Sequence, residues 1–358
     1  MDDPWPRSLA HDPPEVRDAD PFEADGCAAV FLDGPPWRGR ATRIFAWYAI
    51  PAEPGPHPAV ILLHGGTGTA FAEWVRIWAE RGYAAIAPDC CGCVPVRATD
   101  GGWRRHPDGG PPGWGGFDHI AEPAGDQWMY HAVAAGLRCH AFLAARAEVD
   151  PTRVAATGIS WGAVVLAHLV AIDGDLRCAV PVYGCGFLDG SPRIGPRIAA
   201  CADPDRWRGW WDPAVRLADA RVPLLWVDGT NDGHFAPPIW QRSADAAPGT
   251  VHCSLQPDLG HDHEEGRRPP EIAAFVAHHC CGGPDLPRCD GTHPVRWWWT
   301  DDDGPWPDRR WQALAADAGE ADLPERWTAA YPIATGAPGL RTSGTLRLRD
   351  RSYGAPIP

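Results

Sequence analysis

Lysine is absent from this 358-residue chain: all 32 basic residues are arginine, set against 46 Asp and Glu. Without it there is no G-x-x-x-x-G-K-[ST] phosphate loop, whose lysine must reach the terminal phosphates. Positive charge is in deficit overall, and a net charge of −14 argues against nucleic acid or an anionic membrane as the main partner. Long apolar runs are missing too; none approaches the roughly 18 residues of a membrane span. The opening MDDPWPRSLAHDPPEV has neither a basic n-region nor an apolar h-region, so a cytoplasmic location is expected. No repeat of about 20–50 residues is visible.

What is present is ordinary globular material, 44% hydrophobic and 22% charged, which excludes wholesale disorder. The length allows two or three domains. Gly and Pro, 40 of each, imply long connections. Several of the twelve cysteines adjoin one another, as in Cys90-Cys91-Gly92-Cys93 and Cys280-Cys281. That grouping suits reduced, buried thiols better than a spaced disulfide framework.

Residues 1–38 are acidic and Pro-rich and read as an arm, extended over the surface or disordered. From residue 39 the texture changes. Arg40 to Ala49 predicts a strand, and the apolar run Ala59 to His64 predicts a central parallel one. Phe71, Trp74, Val75 and Trp78 fall at i, i+3, i+4 and i+7, one face of a helix. Tyr83 to Pro88 then gives a second buried strand, completing a βαβ unit. The alternation continues with helix 127–146, strand 153–159, helix 161–171, strand 178–184, strand 222–228, helix 237–247, strand 251–256 and helix 270–280. This is an α/β fold with a mostly parallel, doubly wound sheet over residues 39–283. Residues 284–358, with strands at 295–300 and 345–349, predict a small all-β, sandwich-like domain.

Gly158-Ile159-Ser160-Trp161-Gly162 carries the chemistry. With seven serines and 40 glycines in the chain, chance yields roughly 0.09 such G-x-S-x-G strings. This one sits at a strand-to-helix junction, where a strained turn lifts a serine hydroxyl above the sheet edge. A hydroxyl is a poor nucleophile until a base takes its proton and an acid orients the base. On this kind of sheet the expected chain order is Ser, acid, His. Asp232, in the loop past strand 222–228, is the favoured acid, with Asp228 at the strand end as the alternative. In Leu259-Gly260-His261-Asp262-His263, His261 is favoured as base over His263. The loop His64-Gly65-Gly66-Thr67-Gly68 follows a central strand, so backbone N–H groups of Gly66 and Thr67, with that of Trp161, are candidates to hold an oxyanion.

These segments resemble the α/β-hydrolase superfamily, and within it the acetyl xylan esterase-like and dienelactone hydrolase-like serine hydrolases. The likeness runs from Gly39 to Cys281. It is carried by residues 43–47, 64–71, 82–85, 158–162, 182–187 and 228–232. Dienelactone hydrolases proper use a cysteine nucleophile, from which Ser160 departs. The tail is similar to a small β-sandwich that follows the catalytic domain in some bacterial members. The resemblance implies an esterase in which Ser160 attacks an ester carbonyl, His261 shuttles the proton and Asp232 fixes the imidazole. It implies no metal or organic cofactor, and a small-molecule or carbohydrate ester as substrate, acetylated sugars foremost. A serine peptidase of the same fold and a non-catalytic binding protein retaining it are the rival readings.

Other features are assigned by chemistry alone. The long Gly/Pro-rich, aromatic segment 100–126 should pass over the mouth of the site. Trp103, Trp114 and Phe117, with Trp211 from further on, are the candidates to line a substrate pocket. Cys90, Cys91 and Cys93 read as packing thiols. His278, His279, Cys280, Cys281, Cys289 and His293 match no standard zinc spacing.

Overall fold

A computed structural model describes Trp5, residues 7–257 and residues 259–349; the rest of the expected arm and tail lies outside the described residues. The chain opens with β1 (Val16–Asp18), β2 (Ala28–Trp37) and β3 (Arg40–Ala49), then β4 (His57–Leu63), α1 (Ala72–Ala79) and β5 (Ala84–Pro88). A hairpin, β6 (Cys93–Arg97) and β7 (Trp103–Arg105), precedes α2 (Trp128–Ala144), β8 (Val149–Ile159), α3 (Trp161–Ile172) and β9 (Cys178–Val182). Next come α4 (Gly195–Ala200), α5 (Pro204–Trp211), β10 (Leu224–Gly229), α6 (Pro237–Ala246), β11 (Val251–Gln256), α7 (His263–Gly266) and α8 (Pro270–Cys281). Five short strands end the described chain: β12 (Val295–Thr300), β13 (Gln312–Ala313), β14 (Ala329–Thr335), β15 (Arg341–Ser343) and β16 (Arg347–Leu348).

One sheet runs in the order β1-β2-β3-β5-β4-β8-β9-β10-β11-β15-β14-β12-β13, with β16 on β14. From β5 to β11 every pairing is parallel. Such strands are covered by helices on both faces, and β4 is accordingly buried along its whole length. α3 is apolar on every side, its residues from Gly162 to Val170 buried, because it lies sandwiched under the sheet. Truncating a residue such as Leu62, fully buried in β4, would cost about 2–5 kcal/mol. Among the described residues no helix is long and apolar enough to cross a membrane.

Two expectations need correction. The arm contains a ten-residue strand: β2 pairs antiparallel with β3, and Val30 and Leu32 point into the core. Pro35 and Pro36 hide it in the sequence, and they are accommodated because the register shifts between Gly34 and Trp37. The C-terminal strands, in turn, do not stack as a second sheet. β15 joins β11 antiparallel through Ser343 and Cys253, so the central sheet is extended rather than accompanied by a sandwich. Buried Glu271 of α8 secures the join, accepting from Arg341 N (2.7 Å) and Gln256 Nε2 (3.0 Å).

Parallel register brings the loops of interest to one rim. Leu63 of β4 lies opposite Gly158 of β8, Ile159 opposite Val182 of β9, and Val182 opposite Val227 of β10. The segments leaving β4, β8, β9 and β10 therefore emerge side by side at the carboxyl ends of the strands, where open α/β sheets place their sites.

Candidate active site

Ser160 occupies the turn from β8 into α3 with φ 56° and ψ −119°. A non-glycine residue held in such a region costs on the order of 1–3 kcal/mol and persists when its surroundings over-determine it. Its N–H donates to Val182 O at 2.8 Å, and its carbonyl accepts from Ala163 N and Val164 N. Gly162 lets the turn close against the neighbouring strand, since a Cβ there would stand 2.1 Å from Leu63 O.

Asp232 lies past β10, its side chain fully buried. One carboxylate oxygen accepts the N–H groups of His234 (2.6 Å) and Phe235 (2.9 Å). The other meets His261 Nδ1 at 2.6 Å, and His261 Nε2 is 3.0 Å from Ser160 Oγ. A carboxylate only accepts, so Nδ1 carries the ring proton and Nε2 is left to take the proton of the serine hydroxyl. Ser160, His261 and Asp232 thus form one hydrogen-bonded line.

Two residues the sequence reading missed clasp the imidazole. Tyr183 packs 4.7 Å from it on one side and His234 stacks at 4.2 Å. Tyr183, in the left-handed region at φ 62°, donates its hydroxyl to Gly260 O at 2.6 Å, pinning the residue before His261. Burial, then the neighbouring His261, lowers the His234 pKa to about 4, so this ring stacks as a neutral aromatic. The signals were present as Tyr183 just after β9 and as a histidine two residues beyond the acid.

The alternatives fall elsewhere. Asp228 Oδ1 accepts from Gly229 N (2.8 Å). Burial, then the charge of Asp232, holds its carboxyl well above the ordinary range. His263 packs against Phe71 (4.4 Å) and Trp74 (5.0 Å), where burial lowers its pKa to about 3. Asp232, His234 and His261 have donor atoms within 4.8 Å of one another, but the serine line engages Asp232 and both ring nitrogens of His261. Asp89, Cys91 and Cys93 form a second set of donors. Among the described residues the histidines and cysteines from His278 to His293 form no such set.

The loop after β4 passes beside the serine: a methyl group on Gly65 would come 3.1 Å from Ser160 Cβ. Gly68 N bonds Gly65 O (3.1 Å), closing a turn that puts Thr67 at φ 61°. His64, buried beneath, is kept neutral by desolvation; its Nδ1 bonds Gly65 O (2.9 Å) and its Nε2 accepts from Cys90 N (3.0 Å). Among the described residues no acceptor is assigned to the N–H groups of Gly66 and Thr67. Trp161, first in α3, has the free N–H of a helix start.

Segment 100–126 leans on this machinery. Trp103 donates its indole N–H to Thr67 O (2.8 Å), under the guanidinium of Arg97. Trp114 sits 5.5 Å from the His64 ring, and Phe117 lies 6.1 Å from Trp161 while stacking on Trp207. Trp103 and Trp114 are half-buried and Phe117 is buried. Trp211 corrects the expectation. It is fully buried, with its indole N–H on Gln127 Oε1 (2.6 Å) and its carbonyl on His168 of α3. A core position filled on all sides cannot line an open pocket.

This sheet, its flanking helices and the serine turn after β8 define the α/β-hydrolase fold. Residues 37–194, which hold the loop after β4 and Ser160, match the family model described as acetyl xylan esterase. The chain is similar to an acetyl xylan esterase from Paenibacillus sp. R4, with 24% identity over 76% of this chain and 92% of that one and a TM-score of 0.59. For acetyl xylan esterase 1 from Thermoanaerobacterium sp. JW/SL YS485 the identity is 20%, over 76% and 90%, with a TM-score of 0.59. An S-formylglutathione hydrolase from Agrobacterium tumefaciens shares 15% over 74% and 99%, at a TM-score of 0.53. The fold is that of the α/β-hydrolases, and residues 37–194 carry the match to the acetyl xylan esterase family model.

Proposed function

We propose that this protein is a serine esterase that removes acetyl groups from carbohydrates or related small esters. The observation that carries the reading is the hydrogen-bonded line from Ser160 Oγ through His261 to Asp232. Ser160 Oγ attacks the ester carbonyl as His261 Nε2 takes its proton. The negative charge forming on the carbonyl oxygen is met by N–H of Trp161 and of Gly66 or Thr67, each such donor being worth about 2.7–4 kcal/mol. The C–O bond to the alcohol breaks as His261 returns the proton to the leaving oxygen. Water, deprotonated by His261, then attacks the acyl-enzyme, releasing the acid and restoring the serine. Side chains and water handle every proton in the cycle.

The family match over residues 37–194 supports an acetylated carbohydrate as substrate; the half-buried Trp103 and Trp114 are the aromatic surfaces assigned to its wall, with the buried Phe117 packed behind them against Trp207. A reducing, cytoplasmic setting fits the twelve cysteines, all free thiols. The test is an ester panel of acetylated sugars, aryl acetates, lactones and peptides, assayed with wild type and Ser160→Ala. On p-nitrophenyl acetate Ser160→Ala should lose about 10⁴–10⁶ in turnover. Activity surviving that change refutes the mechanism, and hydrolysis of peptides in preference to esters refutes the substrate class.

A further inference from the structure

A second chemical cluster lies behind the loop after β4. Asp89 follows β5, and Gly92, at φ 71°, turns the chain so that Cys91 and Cys93 fold back over the aspartate. Asp89 Oδ1 accepts the N–H groups of Cys91 (2.9 Å) and Cys93 (2.7 Å), which leaves Oδ2 facing the Cys91 thiol, the hydroxyl of Thr69 (3.1 Å) and, at 3.8 Å, His64 Nε2, while the Cys93 thiol points to Cys91 O (3.8 Å). Cys91 Sγ is 3.8 Å from Asp89 Oδ2, and one donor atom from each of the three residues lies within 4.8 Å of the others, all three residues buried. Arg105 braces the turn from outside, its guanidinium donating to the carbonyls of Cys91 and Gly110.

We propose that Asp89, Cys91 and Cys93 form a binding site for a thiophilic divalent cation of the zinc and cadmium class. With Zn–S near 2.3 Å and Zn–O near 2.1 Å, a tetrahedral ion holds sulfur and oxygen ligands about 3.6 Å apart. The gap between Cys91 Sγ and Asp89 Oδ2 is already close to that edge. Two sulfurs and one carboxylate are the ligands such ions prefer over magnesium or calcium. The carboxylate is oriented beforehand by two backbone N–H groups and Thr69, the outer support that tunes metal ligands. On binding, the cation displaces a proton from each thiol to solvent; His64 Nε2 accepts from Cys90 N and stays outside the ligand set. Thr69 closes the loop after β4 and His64 opens it, so a cation here ties β5 to the loop that flanks Ser160. The site is independent of the esterase reading.

The test uses full-length protein, reduced and stripped with a chelator, then titrated with Cd²⁺ while thiolate-to-metal charge-transfer absorption is recorded, with Zn²⁺ as competitor. One equivalent with two-thiolate intensity is expected in wild type. It should be lost in Cys91→Ser and Cys93→Ser and kept in Cys178→Ser and Cys280→Ser. Thr69→Val, which leaves all three ligands in place, should weaken binding about tenfold. A wild type that takes up no cadmium overturns the proposal, as does a band that survives both serine changes at 91 and 93. Unchanged affinity in Thr69→Val overturns the assignment of Asp89 as a ligand.

Discussion

Two histidine–aspartate pairs sit at opposite rims of the same sheet. At the carboxyl ends of the strands His261 meets Asp232 at 2.6 Å; at the other rim His140 of α2 meets Asp173 at 2.5 Å. α3 separates them, running 12 residues, about 18 Å, from the serine turn to Asp173. Both aspartates are buried and both accept backbone N–H groups as well. The difference is on the far side of the ring. His261 Nε2 faces a serine hydroxyl, whereas among the described residues no hydroxyl or thiol reaches His140. A buried imidazole–carboxylate pair is therefore a structural device by default. It becomes chemistry when a strained turn delivers a nucleophile to the second nitrogen.

Breaking each pair should separate the two roles. Asp232→Asn should lower kcat by about 10⁴, since the asparagine imposes the wrong ring tautomer. Steady-state kinetics on an aryl acetate checks this; an effect below tenfold would place the acid elsewhere. At the opposite rim His140→Ala leaves Asp173 buried without its partner, and urea unfolding should show a loss of about 3–5 kcal/mol. Turnover per folded molecule should stay at the wild-type value.

Another buried histidine, His168, sharpens the contrast, because it has no carboxylate partner. His168 of α3 bonds Trp211 O at 3.0 Å, and burial lowers its pKa to about 4. The unfolded chain, with a histidine pKa near 6.5, binds this proton more tightly than the folded one. Its stabilisation is therefore complete above pH about 6.5 and is lost as pH falls toward 4. Urea midpoints should drop over that window, and the drop should shrink in His168→Gln.

The smallest effect concerns how the acid loop is anchored. Asn231 donates to the carbonyls of Trp306, Pro307 and Arg309, tying the residue before Asp232 to the C-terminal extension. Asn231→Ala should cost about 1–2 kcal/mol in unfolding and lower kcat several-fold with KM unchanged.

That tie shows where sequence reading stops. The alternating strands and helices from β3 to α8 were legible, apart from the β6–β7 hairpin and the short α4, α5 and α7, because buried parallel strands and an amphipathic α1 write local patterns. The serine turn was legible because close packing demands glycine beside it. The C-terminal strands were visible at 295–300 but their placement was not. β14 breaks its pattern with Pro332, and the join to β11 passes through a three-residue strand whose partner lies about 90 residues away. Tyr183 and His234 escaped because their role depends on stacking across loops distant in sequence. Trp211 was misassigned for a related reason. A tryptophan that fills a core and one that lines a pocket are the same letter, and its hydrogen bond to Gln127 fixes which it is.

The most direct test of the central claim is covalent labelling of the folded protein with a fluorophosphonate, followed by peptide mass mapping. A single phosphonyl adduct on Ser160, abolished in His261→Ala, is the predicted result. An unmodified Ser160 in native wild-type protein, or equal labelling when His261 is removed, would contradict the account.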